Sequence, residues 1–256
     1  MIKLYRGDCL DVMDKLICDN IKVDAIITDP PFGIVACKWD SIIPFDKMWL
    51  RLNKLIKSNG AIVLFGSEPF SSALRMSNIK NYKYDWYWNK KFDSNFVQVK
   101  RMPLKTIETI SVFSIEKTLP NYYPQMTLRD KPINAGSVKT SEAIPVKNNP
   151  DKKWTEKTYK YKYPITYLNY PRELGRTVHP TQKPVTLMEY LIKTYTNENE
   201  TVLDFTMGSG TTIVAAKNLN RNGIGIEKES KYFKIAKNRI IEAIKNEKKP
   251  KQRVLI

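Results

Sequence analysis

An apolar, β-branched run, Val23-Asp24-Ala25-Ile26-Ile27-Thr28, stops abruptly at Asp29-Pro30-Pro31-Phe32. Such a run reads as a buried strand of a parallel sheet, and the tetrapeptide after it reads as the loop at the strand's carboxyl end. Open α/β sheets bind ligands at the carboxyl ends of their strands. Two prolines fix φ and remove two N–H donors, so this loop is stiff and its carbonyls are free to accept hydrogen bonds. One carboxylate, rigid carbonyl acceptors and an aromatic face suit a flat ring that carries an amine. A proline-rich βα turn with a capping Asp is the plainer reading of the tetrapeptide alone, and the rest of the chain decides between them.

Strands and helices alternate along most of the sequence. A strand from Leu4 ends at Gly7-Asp8, and Asp11 to Leu16 is helical. Ile21 to Thr28 is the second strand, and Phe45 to Lys57 is an amphipathic helix closed by Ser58-Asn59-Gly60. Ala61 to Phe65 is a third buried strand, followed by a helix over Pro69 to Met76. Tyr84 to Trp88 and Thr109 to Phe113 are less uniformly apolar strands, for which antiparallel pairing is left open. From Ile115 to Arg176 the pattern breaks into a Pro- and Tyr-rich stretch. It returns as a helix (Val185 to Tyr195), a strand (Thr201 to Asp204), a helix (Thr211 to Leu219), a strand (Gly223 to Glu227) and a last helix (Lys231 to Asn246). This alternation predicts an α/β sheet covered by helices on both faces.

A second loop follows the strand ending at Asp204. Asp204-Phe205-Thr206-Met207-Gly208-Ser209-Gly210-Thr211-Thr212 leads directly into a helix, and its glycines let the backbone pass close to a ligand. The next strand ends in an acid, Glu227, as in dinucleotide-type sites where a carboxylate holds ribose hydroxyls. The full glycine fingerprint and a P-loop lysine are both missing, so a nucleoside cofactor without phosphates fits as well as a nucleotide.

Charge points to a polyanion. The 256 residues carry 43 Lys and Arg against 26 Asp and Glu, a net charge of +17. Phosphate contacts and counterion release favour a nucleic-acid partner for such a surface, although a lysine-rich composition that only raises solubility gives the same count. Three cysteines (Cys9, Cys18 and Cys37) and one histidine (His179) have no metal-ligand spacing, so no metal site is expected. The thiols read as reduced and the protein as cytoplasmic. Without an apolar run of about 18 residues, no membrane span is expected.

Four blocks in order resemble S-adenosylmethionine-dependent DNA methyltransferases that act on exocyclic amines. They are Asp29-Pro30-Pro31-Phe32, His179-Pro180-Thr181-Gln182-Lys183-Pro184, Asp204 to Gly210, and Gly225-Ile226-Glu227. The tetrapeptide precedes the glycine loop, which is similar to the family's permuted beta arrangement. The resemblance implies a Rossmann-like methyltransferase mixed sheet with helices on both faces and an inserted target-recognition segment. It divides the chain into a catalytic domain (1–114 and 177–247), a recognition insert (115–176) and a basic tail (248–256). One departure is Thr206, where the family usually has Phe, with Phe205 one position earlier as a compensating aromatic.

The resemblance also implies roles. Asp29 and the Pro30 carbonyl accept the amine of a flipped base, which stacks on Phe32, with Pro31 completing the catalytic tetrapeptide. Gly208, Ser209 and Gly210 pass under the methionine end of S-adenosylmethionine, with Asp204 near its amino group. Glu227 holds the ribose, Asp8 the adenine edge, and Thr181 and Lys183 close over the methionine. Cys9, Asp29, Thr206 and Thr211 are further cofactor contacts. An N-cap is the alternative role for Asp8. Lys90, Lys91, Lys100 and Arg101 are candidate DNA contacts in a stretch with eight basic and two acidic residues between Arg75 and Lys105. Adenine N6 is the favoured target, because Asp leads the tetrapeptide more often in adenine enzymes and Ser in cytosine enzymes. Cytosine N4 and a catalytically degenerate DNA-binding relative are the alternatives. Double-stranded DNA is the expected partner, with a homodimer and a separate restriction endonuclease as further candidates.

Overall fold

The side chains of the central strands alternate between two apolar layers, and this alternation explains the three-layer architecture. In a computed structural model that describes residues 1–33, 40–115, 119–134, 158–172 and 182–247, ten strands and six helices are seen among the described residues. The first half runs β1 (Ile2–Arg6), α1 (Cys9–Cys18), β2 (Val23–Thr28), α2 (Phe45–Leu55), β3 (Ile56–Gly66), α3 (Phe70–Ser77), β4 (Tyr82–Ser94) and β5 (Lys105–Phe113). The second half runs β6 (Thr127–Asn134), β7 (Thr158–Lys162), β8 (Tyr167–Asn169), α4 (Val185–Tyr195), β9 (Thr201–Asp204), α5 (Thr211–Asn218), β10 (Asn222–Glu227) and α6 (Ser230–Glu247). Ile26, Ile62 and Leu203 pack under α1, α2 and α3, whereas Ala25, Ile27, Val63 and Val202 pack under α4 and α5. Strand segments buried on both sides are apolar at every position, which is why Ala25 to Ile27 of β2 and Ala61 to Phe65 of β3 read as continuous apolar runs.

Eight strands form one sheet in the order β1-β10-β9-β2-β3-β5-β4-β8. β1, β10, β9, β2 and β3 are mutually parallel. β5 is antiparallel to both β3 and β4. This is the Rossmann-like mixed sheet, flanked by helices and carrying extra elements. No helix among the described residues is long and apolar enough to cross a membrane.

One sequence expectation is corrected. The helix α2 stops at Leu55, not Lys57, and Ser58-Asn59-Gly60 belongs to β3 instead of closing the helix. Ile56 is extended and pairs with Val23, and the register then shifts before Ala25 pairs with Ala61. A Cβ at Gly60 would sit 2.7 Å from the Asp24 carbonyl oxygen, so this irregularity needs a glycine for close backbone approach. Within the Pro- and Tyr-rich stretch, β8 pairs with β4, with Trp88 opposite Leu168. The compact unit separate from the main body spans Pro124–Ile165 and contains the antiparallel pair β6–β7.

Tyr195 at the end of α4 ties that helix to β4. Its buried hydroxyl accepts a hydrogen bond from Trp86 Nε1 (2.7 Å) and lies 2.9 Å from the Tyr84 hydroxyl. Tyr195→Phe leaves the indole N–H of Trp86 without its partner. The expected cost is about 1–3 kcal/mol, read as a lower urea midpoint with an unchanged m-value; an unchanged midpoint would contradict the assignment.

Candidate active site

β2 and β9 are parallel neighbours, with Ala25 opposite Val202 and Ile26 opposite Leu203. Their carboxyl ends therefore open at the same place, one continuing into Asp29 and the other ending at Asp204. A cavity of about 250 Å³ lies there, lined by the Asp29-Pro30-Pro31-Phe32 loop on one side. Asp204, Thr206, Gly208, Ser209 and Thr211 line the other side, and Asp8, Cys9 and Glu227 contribute a third wall from β1 and β10.

Hydroxyl groups fasten the two loops together. Thr28 Oγ1 donates to Asp204 Oδ1 (2.6 Å) and lies 2.6 Å from Thr206 Oγ1. Thr206 Oγ1 in turn lies 3.1 Å from the Asp29 carbonyl, and its backbone N–H donates to Asp204 Oδ1 at 3.1 Å. Thr206 thus bridges the loops through its hydroxyl, a contact that the Phe expected from the resemblance cannot make. Phe205 is buried in the α1–α3 layer. The other end of the tetrapeptide is held by Asp40, whose Oδ1 accepts from the N–H groups of Phe32 (2.8 Å) and Gly33 (3.0 Å).

The glycine loop is shaped from three directions. Gly208 N–H donates to Glu227 Oε2 at 2.9 Å, and Glu229 N–H donates to Oε1 at 2.7 Å. Arg239 on α6 donates to the Ser209 carbonyl (2.7 Å) and to Ser209 Oγ (2.9 Å). Gly210 does not line the cavity; it caps α5 with φ +79°. Asp8 caps α1 by accepting from Leu10 N–H at 3.0 Å, so the capping role is present, and its Oδ2 lies 3.2 Å from Lys228. Burial, followed by the nearby Asp8 charge, pushes the Cys9 thiol up to about 12, which keeps it protonated.

Four charged side chains form a line into the site. Lys183 Nζ is 2.5 Å from Asp29 Oδ2 and 3.4 Å from Glu108 Oε2. Glu108 Oε1 is 3.2 Å from Lys90 Nζ. The Lys183 ammonium also sits 5.1 Å from the centre of the Phe65 ring. Asp29 Oδ1 is buried without a hydrogen-bond partner among the described residues. Burial raises the Asp29 pKa to about 6 against the opposing pull of Lys183. Asp204 also rises to about 6 by burial, opposed by hydrogen bonds from Thr212, Thr28 and the Thr206 N–H. Burial likewise raises Glu227. Burial works against the charged forms of Lys183 and Glu108, but Asp29 and then Glu108 hold Lys183 above its ordinary value, and Lys183 and then Lys90 hold Glu108 below its own.

Lys90 is therefore a buried counter-ion of Glu108, not a surface contact; its strand reads basic in sequence, and burial was not visible there. Lys91, Lys100 and Arg101 are exposed. Thr181, His179, Cys37 and the basic tail lie outside the described residues. Sequence reasoning missed Glu108, Asp40 and Arg239. A lone acid within the Ile107–Ile110 run was the available signal for Glu108; Asp40 and Arg239 had none.

Two acid-bearing loops converging on one cavity at the carboxyl edge of a parallel sheet define an α/β enzyme of the nucleotide-cofactor type. The family model for N6/N4 methylation, described as DNA methylase, matches residues 23–238, and the chain belongs to that family. The chain is 28% identical to the type II methyltransferase M1.MboII of Moraxella bovis, over 90% of this chain and 93% of that protein. It superposes on the M1.HpyAVI–SAM complex with a TM-score of 0.64 and 30% identity, covering 93% of this chain and all of that one. It shares its fold with the cytosine-N4-specific PvuII methyltransferase at 17% identity and a TM-score of 0.62, over 93% of this chain and 86% of that one. The protein is a DNA methyltransferase that moves a methyl group from S-adenosylmethionine to an amino group of a DNA base.

Gly210 gives a direct test of the loop geometry. A Cβ there would lie 2.9 Å from Ala236 Cβ, on a backbone that L-residues rarely adopt. Gly210→Ala is expected to destabilise the fold by about 1–2 kcal/mol from the left-handed conformation alone, with steric strain added, measured by urea unfolding. Wild-type stability would show that α5 starts differently.

Proposed function

We propose that the chain is a site-specific N6-adenine methyltransferase of double-stranded DNA that works on a flipped base, with Asp29 as acceptor for the amine. The observation that carries the reading is a mostly buried carboxylate lining the cavity with one oxygen on Lys183 and the other unpaired. A buried acceptor without a partner calls for one, and an exocyclic amine offers two N–H donors.

The residues around the cavity fit a cationic nucleoside cofactor. Asp204 and Glu227 supply two buried or half-buried acids, and Gly208 with φ +51° leaves the loop backbone uncovered by a side chain. S-adenosylmethionine supplies an electrophilic methyl group when bound. On this reading Asp204 receives its amino group, Glu227 the ribose hydroxyls, and the backbone of Gly208 and Ser209 lies beneath its methionine end, with Asp8 and Cys9 at the adenine edge. The target base stacks on Phe32, whose ring is itself backed by Phe70 at 5.0 Å between centroids. Asp29 Oδ1 and the Pro30 carbonyl accept the two amine hydrogens. This orients the nitrogen lone pair and stabilises the positive charge that develops on nitrogen. Asp at position 29, where cytosine enzymes of the family more often have Ser, supports adenine. Exposed Lys91, Lys100 and Arg101 are the phosphate contacts on this reading.

Asp29→Ala should lower the single-turnover rate of tritiated-methyl transfer to DNA by about a thousandfold or more, with S-adenosylmethionine affinity within a fewfold of the intact chain. Near-wild-type transfer by this variant would remove Asp29 from the mechanism.

The pH dependence follows from the raised carboxylates. Stabilising the positive charge that develops on the amine nitrogen calls for ionised Asp29, so activity is full well above its pKa of about 6 and is lost as pH falls through that value. Asp204 loses its charge in the same window. The transfer rate should therefore drop by at least about tenfold between about pH 7 and pH 5. A flat profile across that range would show that methyl transfer does not depend on a carboxylate that titrates near 6.

A further inference from the structure

We propose that Glu108 is a positioning residue for methyl transfer: it shares the Lys183 ammonium with Asp29, so that Lys183 occupies Oδ2 alone and leaves Oδ1 as the acceptor for the base. The proposal rests on the reading of Asp29 given above and assigns a role to a residue outside the recognisable motifs.

One ammonium faces two carboxylates here. An ammonium has three N–H donors and no preferred plane. Beside a single carboxylate it is free to bridge both oxygens. Here Glu108 approaches the same ammonium from β5 as an ion pair at 3.4 Å, its Oε2 buried without a hydrogen bond, while Asp29 takes the hydrogen-bonded 2.5 Å contact. Lys183 is thus divided between two acids, with the faces of Phe65 and Trp88 at 5.1 and 5.8 Å restricting its remaining space. Lys90 on β4 completes the arrangement. Its contact of 3.2 Å to Glu108 Oε1 balances that acid, so Lys183 is not drawn wholly away from Asp29. The line Lys90–Glu108–Lys183–Asp29 alternates in sign and sums to zero. Asp204 is the other charged group acting on Asp29, and it adds negative charge from β9.

The Glu108 carboxylate has no other role that would explain its burial. It does not line the cavity, and its oxygens meet only these two lysines among the contacts found. The ionised form is favoured by Lys183 and Lys90 despite burial.

The test uses the full chain with Glu108→Gln, which keeps shape and removes charge, and Glu108→Asp as the conservative variant. The first readout does not need catalysis. Acetylation of individual lysines by an N-hydroxysuccinimide acetate reagent is followed by peptide mass spectrometry. In Glu108→Gln, Lys183 should react severalfold faster than in the intact chain, because its ammonium has lost a partner that keeps it charged, while exposed lysines such as Lys91 and Lys100 react at unchanged rates and report an intact fold. The second readout is the single-turnover methyl-transfer rate. It should fall about tenfold or more in Glu108→Gln with S-adenosylmethionine affinity within about twofold, and recover in large part in Glu108→Asp. Unchanged Lys183 reactivity overturns the proposal, as does a loss of rate matched by an equal loss of cofactor affinity. Faster acetylation of Lys183 in a chain whose intact form methylates no DNA would support the placement of Lys183 by Glu108 and overturn the reading of Asp29 instead.

Discussion

Everything in the active site depends on the parallel pairing of β2 with β9. These strands are far apart in sequence, and their pairing is what brings Asp29 and Asp204 to one edge of the sheet. The pairing is reinforced where it matters by the Thr28 hydroxyl, which reaches from the last residue of β2 to the last residue of β9. Thr206 extends the same tie to the backbone of the Asp29 loop. A misplacement of about 1 Å between catalytic groups can cost about a hundredfold in rate, so hydroxyl bridges between two stiff strand ends are a sensible way to fix the distance.

Around that edge, charge is buried at a cost. Asp29, Glu108, Lys90 and Lys183 all have side chains less than a quarter exposed. Breaking a buried pair by removing one partner costs about 3–5 kcal/mol, a large share of the roughly 5–15 kcal/mol that holds a domain folded. Yet apolar replacement of a whole buried ion pair is often neutral or stabilising. Stability alone therefore does not account for four charges at this place. Their alternation accounts for them: each acid has a cation beside it, while one oxygen of Asp29 keeps its capacity to accept.

Much of this was legible in the sequence, and the failures have physical causes. Continuous apolar runs announced β2, β3 and β9 because strands buried on both faces have no polar side. The glycine turn after β9 and the acid that ends β10 were legible as neighbours at one cavity, because tight turns demand glycine and the carboxyl ends of parallel strands share an edge. The end of α2 was misread because Ser58-Asn59-Gly60 has the composition of a helix stop, whereas Gly60 is needed where β3 passes the Asp24 carbonyl. Lys90 was misread for a different reason. Local composition gives charge but not burial, and the ion pair with Glu108 exists only because β4 and β5 are antiparallel neighbours with Trp88 opposite that acid. Arg239 acts on a loop 30 residues before it, and no spacing rule connects a side chain to a backbone it meets only in three dimensions; Asp40 is near its loop in sequence, but no motif marks an acid that caps Phe32 and Gly33.

The central claim is that the cleft headed by Asp29 methylates the N6 amine of adenine within a defined DNA sequence. It is tested most directly by single-molecule sequencing of genomic DNA from cells expressing the intact chain and from cells expressing Asp29→Ala. The account predicts N6-methyladenine at one recurring sequence with the intact chain and none with the variant. N4-methylcytosine at such a sequence would contradict the choice of base, and the same modification with both chains, or with neither, would contradict the role given to Asp29.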